Sequence, residues 1–190
     1  MLAIFRPALA ILALMTLLTG VAYPLAITGV AQVAMPVRAN GSLIEQGGTV
    51  IGSVLIGQDF TSPGYFHPRP SAVGYDAASA GASNLGPTSA ELLVTVEERA
   101  EAWRRETGES DVPLDAVTAS ASGLDPDISP ENARVQAVRV AEARGAPRDE
   151  IVRIVEAATT GPWLGIFGPA HVNVLEANLA VDAAFPGGVE

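Results

Sequence analysis

The chain has 190 residues, with 21 acidic and 11 basic side chains, a net charge of −10 and no cysteine. All of the basic residues are arginine. The lack of lysine and cysteine excludes a phosphate-loop lysine, Schiff-base chemistry, thiol nucleophiles, thiolate metal sites and disulfides. The two histidines, His67 and His171, are too far apart in the sequence to form a local paired-histidine metal motif.

An uncharged segment, residues 7–37, lies between Arg6 and Arg38. Because about 20 apolar residues cross the hydrocarbon core of a bilayer, the segment predicts one transmembrane helix at residues 8–34, within an N-terminal membrane anchor at 1–36. Pro24 is expected to kink this helix. The alternative is a cleaved signal peptide, since residues 29–31 offer a small-x-small cleavage site. Arg6 favours a cytoplasmic N-terminus and an extracytoplasmic domain at the cell (inner) membrane.

Residues 37–190 have the length of one domain. Ten arginines and 21 acidic residues give this part a net charge of −11, which argues against nucleic acid and anionic membrane surfaces as partners. Residues 50–56 (VIGSVLI) are apolar and β-branched, and they predict a strand. Residues 57–89 are rich in Gly and Pro. A turn-rich segment of this length is expected to be functional or docked rather than idle.

Residues 88–91 (TSAE) form a capping box, which predicts that a helix begins there. The helix is expected to run to about Thr107 and to end at Gly108. The predicted apolar face of this helix comprises Leu92, Val96, Ala100 and Trp103. Its acidic residues at positions 91, 97, 98, 101 and 106 lie off that face and are expected to be solvated.

The later elements indicate the fold class. Residues 113–119 (PLDAVTA) predict a second strand, and Ser129 caps a helix that ends at Gly145. Another helix runs over residues 147–158, and a Gly/Pro break follows at 161–169. Val172 and Val174 indicate the end of a strand, and Asn173 between them is expected to cap a last helix. The predicted class is α+β or α/β, with a small sheet covered by helices.

Few residues suggest a catalytic or metal-binding role. Ser122 in ASASG lacks the first glycine of a nucleophile elbow, and no catalytic residue or metal site is predicted. Asp125 and Asp127 could form a carboxylate pair or bind a hard cation, or they could serve turns and caps. His67 and His171 are expected at the surface or facing a partner rather than in catalysis.

The loop at residues 81–89 contains glycine and opens a helix, so it could hold an anion or a nucleotide. The weak candidates for such a site are Ser83, Asn84, Gly86 and Thr88. Helix capping alone is the simpler interpretation.

Six stretches of sequence occur in order after the predicted span: 52–58 (GSVLIGQ), 60–66 (FTSPGYF), 69–72 (RPSA), 83–88 (SNLGPT), 115–130 (DAVTASASGLDPDISP) and 172–182 (VNVLEANLAVD). Together they resemble the C-subunit family of the Kdp potassium-transporting P-type ATPases, over nearly all of residues 5–182. Candidates for partner docking are Tyr65, Phe66, Arg69, Asn84 and Asn173.

The resemblance implies a non-catalytic accessory subunit of a high-affinity, ATP-driven potassium uptake complex, needed for assembly. Its implied partners are a channel-like potassium-binding subunit, an ATP-hydrolysing P-type subunit and a small fourth subunit. The family is described as a catalytic chaperone that raises the ATP affinity of the hydrolysing subunit, which holds ATP and Mg²⁺. The resemblance also places the globular domain outside, at the potassium entrance of the channel-like subunit.

Some family members carry a Gly-Gln-Pro-x-Val-Asn segment whose Gln has been proposed to contact nucleotide. Here residues 168–173 read GPAHVN, with Pro169 at the position of that Gln. Because proline offers no side-chain hydrogen bond, the effect on ATP affinity is expected to be indirect. The alternatives to a pump subunit are a free-standing, membrane-tethered extracytoplasmic binding protein and a secreted hydrolase.

Overall fold

The computed structural model describes residues 2–187. Its contacts divide the chain into two units, with the boundary between Leu43 and Ile44. Sequence patterning places the boundary after residue 36, a few residues earlier.

The first unit is a long helix with a wider turn in its middle. Helix α1 (Leu2–Leu17) continues through a π-helical turn (Leu18–Ala22) into α2 (Tyr23–Ala34), and the short α3 (Pro36–Ala39) follows. By length and composition, Ile4–Ala34 is able to cross a membrane. Pro24 has no N–H to complete the regular helical bonding pattern, and the π turn precedes it, with the Tyr23 N–H donating to the Leu18 carbonyl. The wide turn thus lies directly before Pro24, and the kink expected at Pro24 stays a prediction.

From the unit boundary onward, the chain forms a two-stranded sheet of β1 (Leu43–Gln46) and β2 (Thr49–Ser53). The predicted strand at residues 50–56 is correct only in its first part. The chain turns after Ser53, whose hydroxyl accepts from the Leu55 N–H at 3.1 Å and whose carbonyl accepts from the Ile56 N–H at 3.2 Å. These local bonds end the strand before its apolar run is finished.

Helix α4 (Ala90–Thr107) confirms the predicted apolar face, because Ala100 and Trp103 are buried. Its cap is Ser89, whose hydroxyl accepts from the Leu92 N–H, so the predicted capping box starting at Thr88 is wrong by one residue. Gly108 ends the helix with a positive φ of 73°, as expected for a left-handed terminal residue.

The strand predicted at residues 113–119 is wrong. The segment contains a one-turn helix, α5 (Leu114–Val117), preceded by Pro113 and ending at Thr118. The side chain of Asp115 on this turn bonds the start of the next long helix, so a tertiary contact outweighs the β-branched residues of the segment.

Three more helices and a small sheet complete the second unit. The helices are α6 (Pro130–Arg144), α7 (Arg148–Ala158) and α8 (Val174–Ala184), and α7 packs against both of the others. The antiparallel sheet has the order β3 (Asp127–Ile128), β5 (His171–Asn173), β4 (Thr159–Thr160). The caps predicted at Ser129 and Asn173 are confirmed. This mixed α and β fold with small sheets agrees with the predicted class.

The turn-rich segment, residues 57–89, is docked on these helices by side-chain amides. The Phe66 N–H donates to Asn178 Oδ1 at 2.7 Å, and Asn178 Nδ2 donates to the Phe66 carbonyl at 3.1 Å. Gln136 makes the same paired bonds with the backbone of His67, at 2.7 and 3.0 Å. The two amides thus satisfy backbone groups that a neighbouring strand would otherwise have to satisfy.

Candidate functional site

Charged side chains meet in a cleft of about 310 Å³ in the second unit, which we call the acidic cleft. The charged and titratable residues that line it are Arg69, Asp115, Asp125, Asp127 and His171. The other lining residues are Ile128, Ser129, Pro169 and Ala170. The turn-rich segment, the 115–129 segment and the chain before α8 each contribute to it. The cleft therefore joins residues that are distant in the sequence, including Pro169, the position highlighted by the family resemblance.

One carboxylate of the acidic cleft is used to start helix α6. Asp115 accepts from the Ser129 N–H at 2.7 Å, from the Ser129 hydroxyl at 2.9 Å and from Asn132 Nδ2 at 3.1 Å. Ser129 in turn accepts from the Asn132 N–H. Asp115 therefore fixes the orientation of the helix cap, which itself satisfies a free N–H of the first helical turn.

The other two carboxylates belong to Asp125 and Asp127, which are bonded to each other and lie beside the side chains of Arg69 and His171. Arg69 Nη1 lies 3.0 Å from Asp125 Oδ2, and Asp125 Oδ1 accepts from the Asp127 N–H at 3.1 Å. Asp127 accepts from Asn173 Nδ2 at 3.2 Å and faces His171 Nε2 at 3.8 Å. The bond from the Asp127 N–H to Asp125 Oδ1 is turn chemistry, one of the interpretations left open by the sequence, and a functional carboxylate pair stays a prediction.

The electrostatics of Asp127 reflect its position. Burial raises the pKa of this carboxyl above its ordinary value, and the neighbouring Asp125 charge raises it further. His171 and the hydrogen bond from Asn173 act in the opposite direction. Among the residues that the structure describes, no group of three or more His, Cys, Asp or Glu side chains is placed to hold a metal ion.

A second charged group surrounds His67. Glu106 Oε1 lies 2.8 Å from Arg139 Nε and 3.4 Å from His67 Nδ1, and Arg139 Nη1 lies 3.2 Å from His67 Nε2. The hydrogen bond from His67 and, next, the charge of Arg139 lower the pKa of Glu106 despite partial burial. Glu106 remains partly exposed to solvent, as expected, and it also ties α4 to the turn-rich segment.

The weak anion candidates lie apart from the acidic cleft. Ser83, Asn84, Gly86 and Thr88 are exposed, and of these Ser83 borders a different cavity of about 700 Å³, beside α4 and Arg99. Asn84 has a positive φ of 56°, and its amide donates to the Ala82 carbonyl. The Ser89 N–H donates to the Gly86 carbonyl, so this loop forms a turn directly before the helix cap.

The docking candidates occupy different environments. Phe66 is fully buried in the core, so its side chain has a structural role in the folded domain. The Tyr65 hydroxyl bonds Asp182, and its ring lies 4.7 Å from the Arg144 guanidinium. Arg69 borders the acidic cleft. Asn173 caps α8 and also donates to the Val54 carbonyl at 2.8 Å. Docking by Tyr65, Arg69, Asn84 and Asn173 stays a prediction.

Sequence reasoning missed an exposed apolar loop. Within the predicted Gly/Pro break, Trp163, Leu164, Ile166 and Phe167 are all exposed. The available signal was the occurrence of four large apolar residues within five positions, in a stretch with no Asp, Glu, Lys or Arg between Glu156 and Glu176. Glycine and proline around these residues concealed the signal.

The apolar helix fits a single-pass membrane protein, and the second unit is an α and β domain that carries a charged cleft. Comparison with known proteins identifies the family to which this membrane protein belongs. A family model described as "KdpC: K+-transporting ATPase, c chain" matches residues 5–183. The chain belongs to this KdpC family and is a subunit of a potassium-transporting ATPase.

Named relatives extend over nearly the same length. A potassium-transporting ATPase KdpC subunit from Cereibacter sphaeroides is 59% identical over 179 residues, covering 94% of this chain and 96% of the relative. The corresponding proteins of Rhodospirillum rubrum and Caulobacter vibrioides are 56% and 52% identical, and each alignment covers 98% of this chain. The alignments cover 98% of the Rhodospirillum protein and 96% of the Caulobacter protein.

Proposed function

We propose that this chain is a non-catalytic accessory subunit that assembles with a potassium pump and raises the ATP affinity of its hydrolysing subunit. The observation that carries the proposal is the family match over residues 5–183, which includes both the apolar helix and the folded domain. In this proposal the helix is a retained anchor with a cytoplasmic N-terminus, and the domain is extracytoplasmic. The partners are the channel-like subunit, the hydrolysing subunit and the small fourth subunit.

The charges of the acidic cleft support an indirect effect on ATP. Three carboxylates and a single arginine line it, so the cleft disfavours a polyphosphate unless bound cations compensate. Asp115 and Asp125 are already bonded within the domain, and Arg69 is paired with Asp125. Pro169 adds no side-chain donor. Direct nucleotide recognition therefore has little support at this position.

An indirect effect requires that the subunit binds one conformation of the pump more tightly than another. Stabilising a conformation with high ATP affinity lowers the ATP concentration needed for hydrolysis. Thermodynamic linkage makes this coupling reciprocal, so ATP must tighten the association of this subunit with the pump. Coupling of this kind amounts to about 5- to 150-fold in affinity.

Reconstitution of the pump with and without this chain tests the proposal. We expect omission of the chain to raise the KM for ATP of the assembled remainder, and the full chain alone to show no ATP hydrolysis. A pump that assembles normally with an unchanged KM contradicts the proposed role. Hydrolysis by the chain alone contradicts its non-catalytic character.

A further inference from the structure

An apolar tip projects from the loop between β4 and β5. It consists of Trp163, Leu164, Ile166 and Phe167, with exposed fractions of 69%, 70%, 79% and 58%. Monomeric soluble proteins seldom leave so many large apolar side chains together in water. This tip therefore needs a partner surface of matching chemistry.

The tip is an ordered turn and not an open coil. The Trp163 N–H donates to the Phe167 carbonyl at 2.9 Å, and the Phe167 N–H donates to the Trp163 carbonyl at 3.0 Å. The Trp163 and Phe167 rings pack with their centroids 5.6 Å apart. Leu164 has a positive φ of 52°, an uncommon conformation for a residue with a Cβ. The backbone thus holds these side chains outward at a conformational cost.

Charge and connectivity identify the surface that the tip fits. No Asp, Glu, Lys or Arg occurs between Glu156 and Glu176, although the domain as a whole is strongly acidic. The apolar helix ends at Ala34 and β1 begins at Leu43, so residues 35–42 connect them. Fully extended, this connection reaches at most about 30 Å. The connection therefore limits how far the start of the domain can lie from the end of the apolar helix.

We propose that the apolar tip inserts into the interface of the lipid bilayer. Trp and other large apolar residues bury their rings and aliphatic groups at this depth. The inference rests on the proposed membrane anchor, because that anchor supplies the tether. Insertion gives the domain a second attachment to the bilayer besides the helix, and it restricts how the domain tilts.

Lipid fits the tip better than a protein partner does. A typical protein interface buries about 800 Å² per partner and combines an apolar centre with a polar rim and several hydrogen bonds. The tip is a small protrusion whose backbone bonds close within its own turn, and its side chains offer only the Trp163 indole N–H as a polar group. A hydrocarbon surface requires no further polar match.

Tryptophan fluorescence of the full chain in lipid nanodiscs tests the inference. The chain has two tryptophans, of which Trp103 is buried and Trp163 is exposed. In phosphatidylcholine carrying brominated acyl chains, which quench nearby indoles, we expect loss of the Trp163 emission. The Trp163→Phe variant retains only Trp103, and we expect its emission to be the same with brominated and ordinary lipid.

A matched pair of charged variants isolates the tip. Leu164→Glu with Ile166→Glu is expected to abolish the quenching of Trp163, because insertion would bury two carboxylates. Leu93→Glu with Val94→Glu alters similarly exposed residues on α4 and is expected to leave the quenching unchanged.

The outcomes separate the tip from the anchor. Incorporation of the chain into nanodiscs without quenching of Trp163 overturns the tip proposal and leaves the anchor intact. Failure of the chain to incorporate overturns both. If Trp163 in the assembled pump is protected from brominated lipid and the Leu164/Ile166 variant no longer copurifies, the tip binds a protein subunit and the lipid proposal is wrong.

Discussion

At the scale of single residues, buried amides hold the domain together where regular structure is sparse. Asn178 and Gln136 are each 1% exposed, and each pairs with both backbone groups of one residue in the turn-rich segment. An unpaired buried polar group is costly, so these positions tolerate little change. This explains why the segment is ordered although it contains no helix or strand between β2 and α4 among the residues described.

The burial of Phe66 leads to a stability prediction that separates it from Tyr65. Phe66→Ala is expected to lower the free energy of unfolding by about 3–5 kcal/mol through lost burial and a cavity. Tyr65→Phe removes only the bond to Asp182 and is expected to cost about 0.5–1.5 kcal/mol. Urea denaturation of the full chain in detergent measures both. Equal effects of the two variants would contradict the assignment of Phe66 to the core.

Glu106 leads to a prediction about acid stability. Its pKa is lowered in the folded state, so its stabilising contribution is present above the ordinary value of 4.5 and is lost as the pH falls through the lowered value. Glu106→Gln is expected to cost about 1 kcal/mol at pH 7, a figure kept small because the carboxylate is 37% exposed. The stability of the variant should vary less below pH 4.5 than that of the native chain.

Asp127 provides a control for Glu106, because its pKa is shifted in the opposite direction. Its pKa is raised, so its ionisation weakens the folded state as the pH rises through the raised value. Asp127→Asn should therefore gain stability relative to the native chain with rising pH. Denaturation midpoints measured from pH 3 to pH 7 report both variants, and parallel curves for all three proteins would contradict both assignments.

At the scale of secondary-structure elements, local signals were predictable and distant pairings were not. The caps at Ser129 and Asn173 are encoded within three residues, and the structure confirms them. The strand expected at residues 113–119 is wrong because Asp115 bonds a helix start 14 residues away, which no local pattern reveals. Strands β3 and β4 have two residues each and depend on pairing with β5.

In the candidate site, too, the local signals were predictable from the sequence and the distant contacts were not. Asp125 and Asp127 were recognisable as a pair, but their association with Arg69, His171 and Pro169 arises from long-range packing. The exposed tip was missed because glycine and proline suggested only a turn.

Asn173 joins several elements, and its replacement tests this role. Asn173→Ala removes the cap of α8 and the amide bonds to Val54 and Asp127, so we expect a loss of about 2 kcal/mol, above the usual effect of one cap. Asn173→Ser retains a capping oxygen and loses the two amide bonds, so its loss should be smaller. Thermal denaturation compares them. Indistinguishable variants would show that capping by Asn173 contributes nothing measurable.

At the scale of the whole molecule, topology decides whether the domain can meet the outer face of a pump. The native chain has no cysteine, so Ser110→Cys places a single reporter at an exposed position of the second unit. In intact cells with a permeabilised outer membrane, we expect labelling by a membrane-impermeant maleimide. Labelling only after lysis would contradict the orientation. A mature protein that begins near residue 32 would contradict the retained anchor.

In the proposed function, this subunit changes the ATP affinity of its partner without holding ATP itself. Calorimetric titration of the full chain with Mg-ATP measures whether the chain holds ATP. We predict no saturable binding, because carboxylates outnumber arginine in the acidic cleft and Pro169 lacks a donor. A saturable site of micromolar affinity that is lost on Arg69→Ala, or on substitution of Ser83 and Thr88, would contradict it.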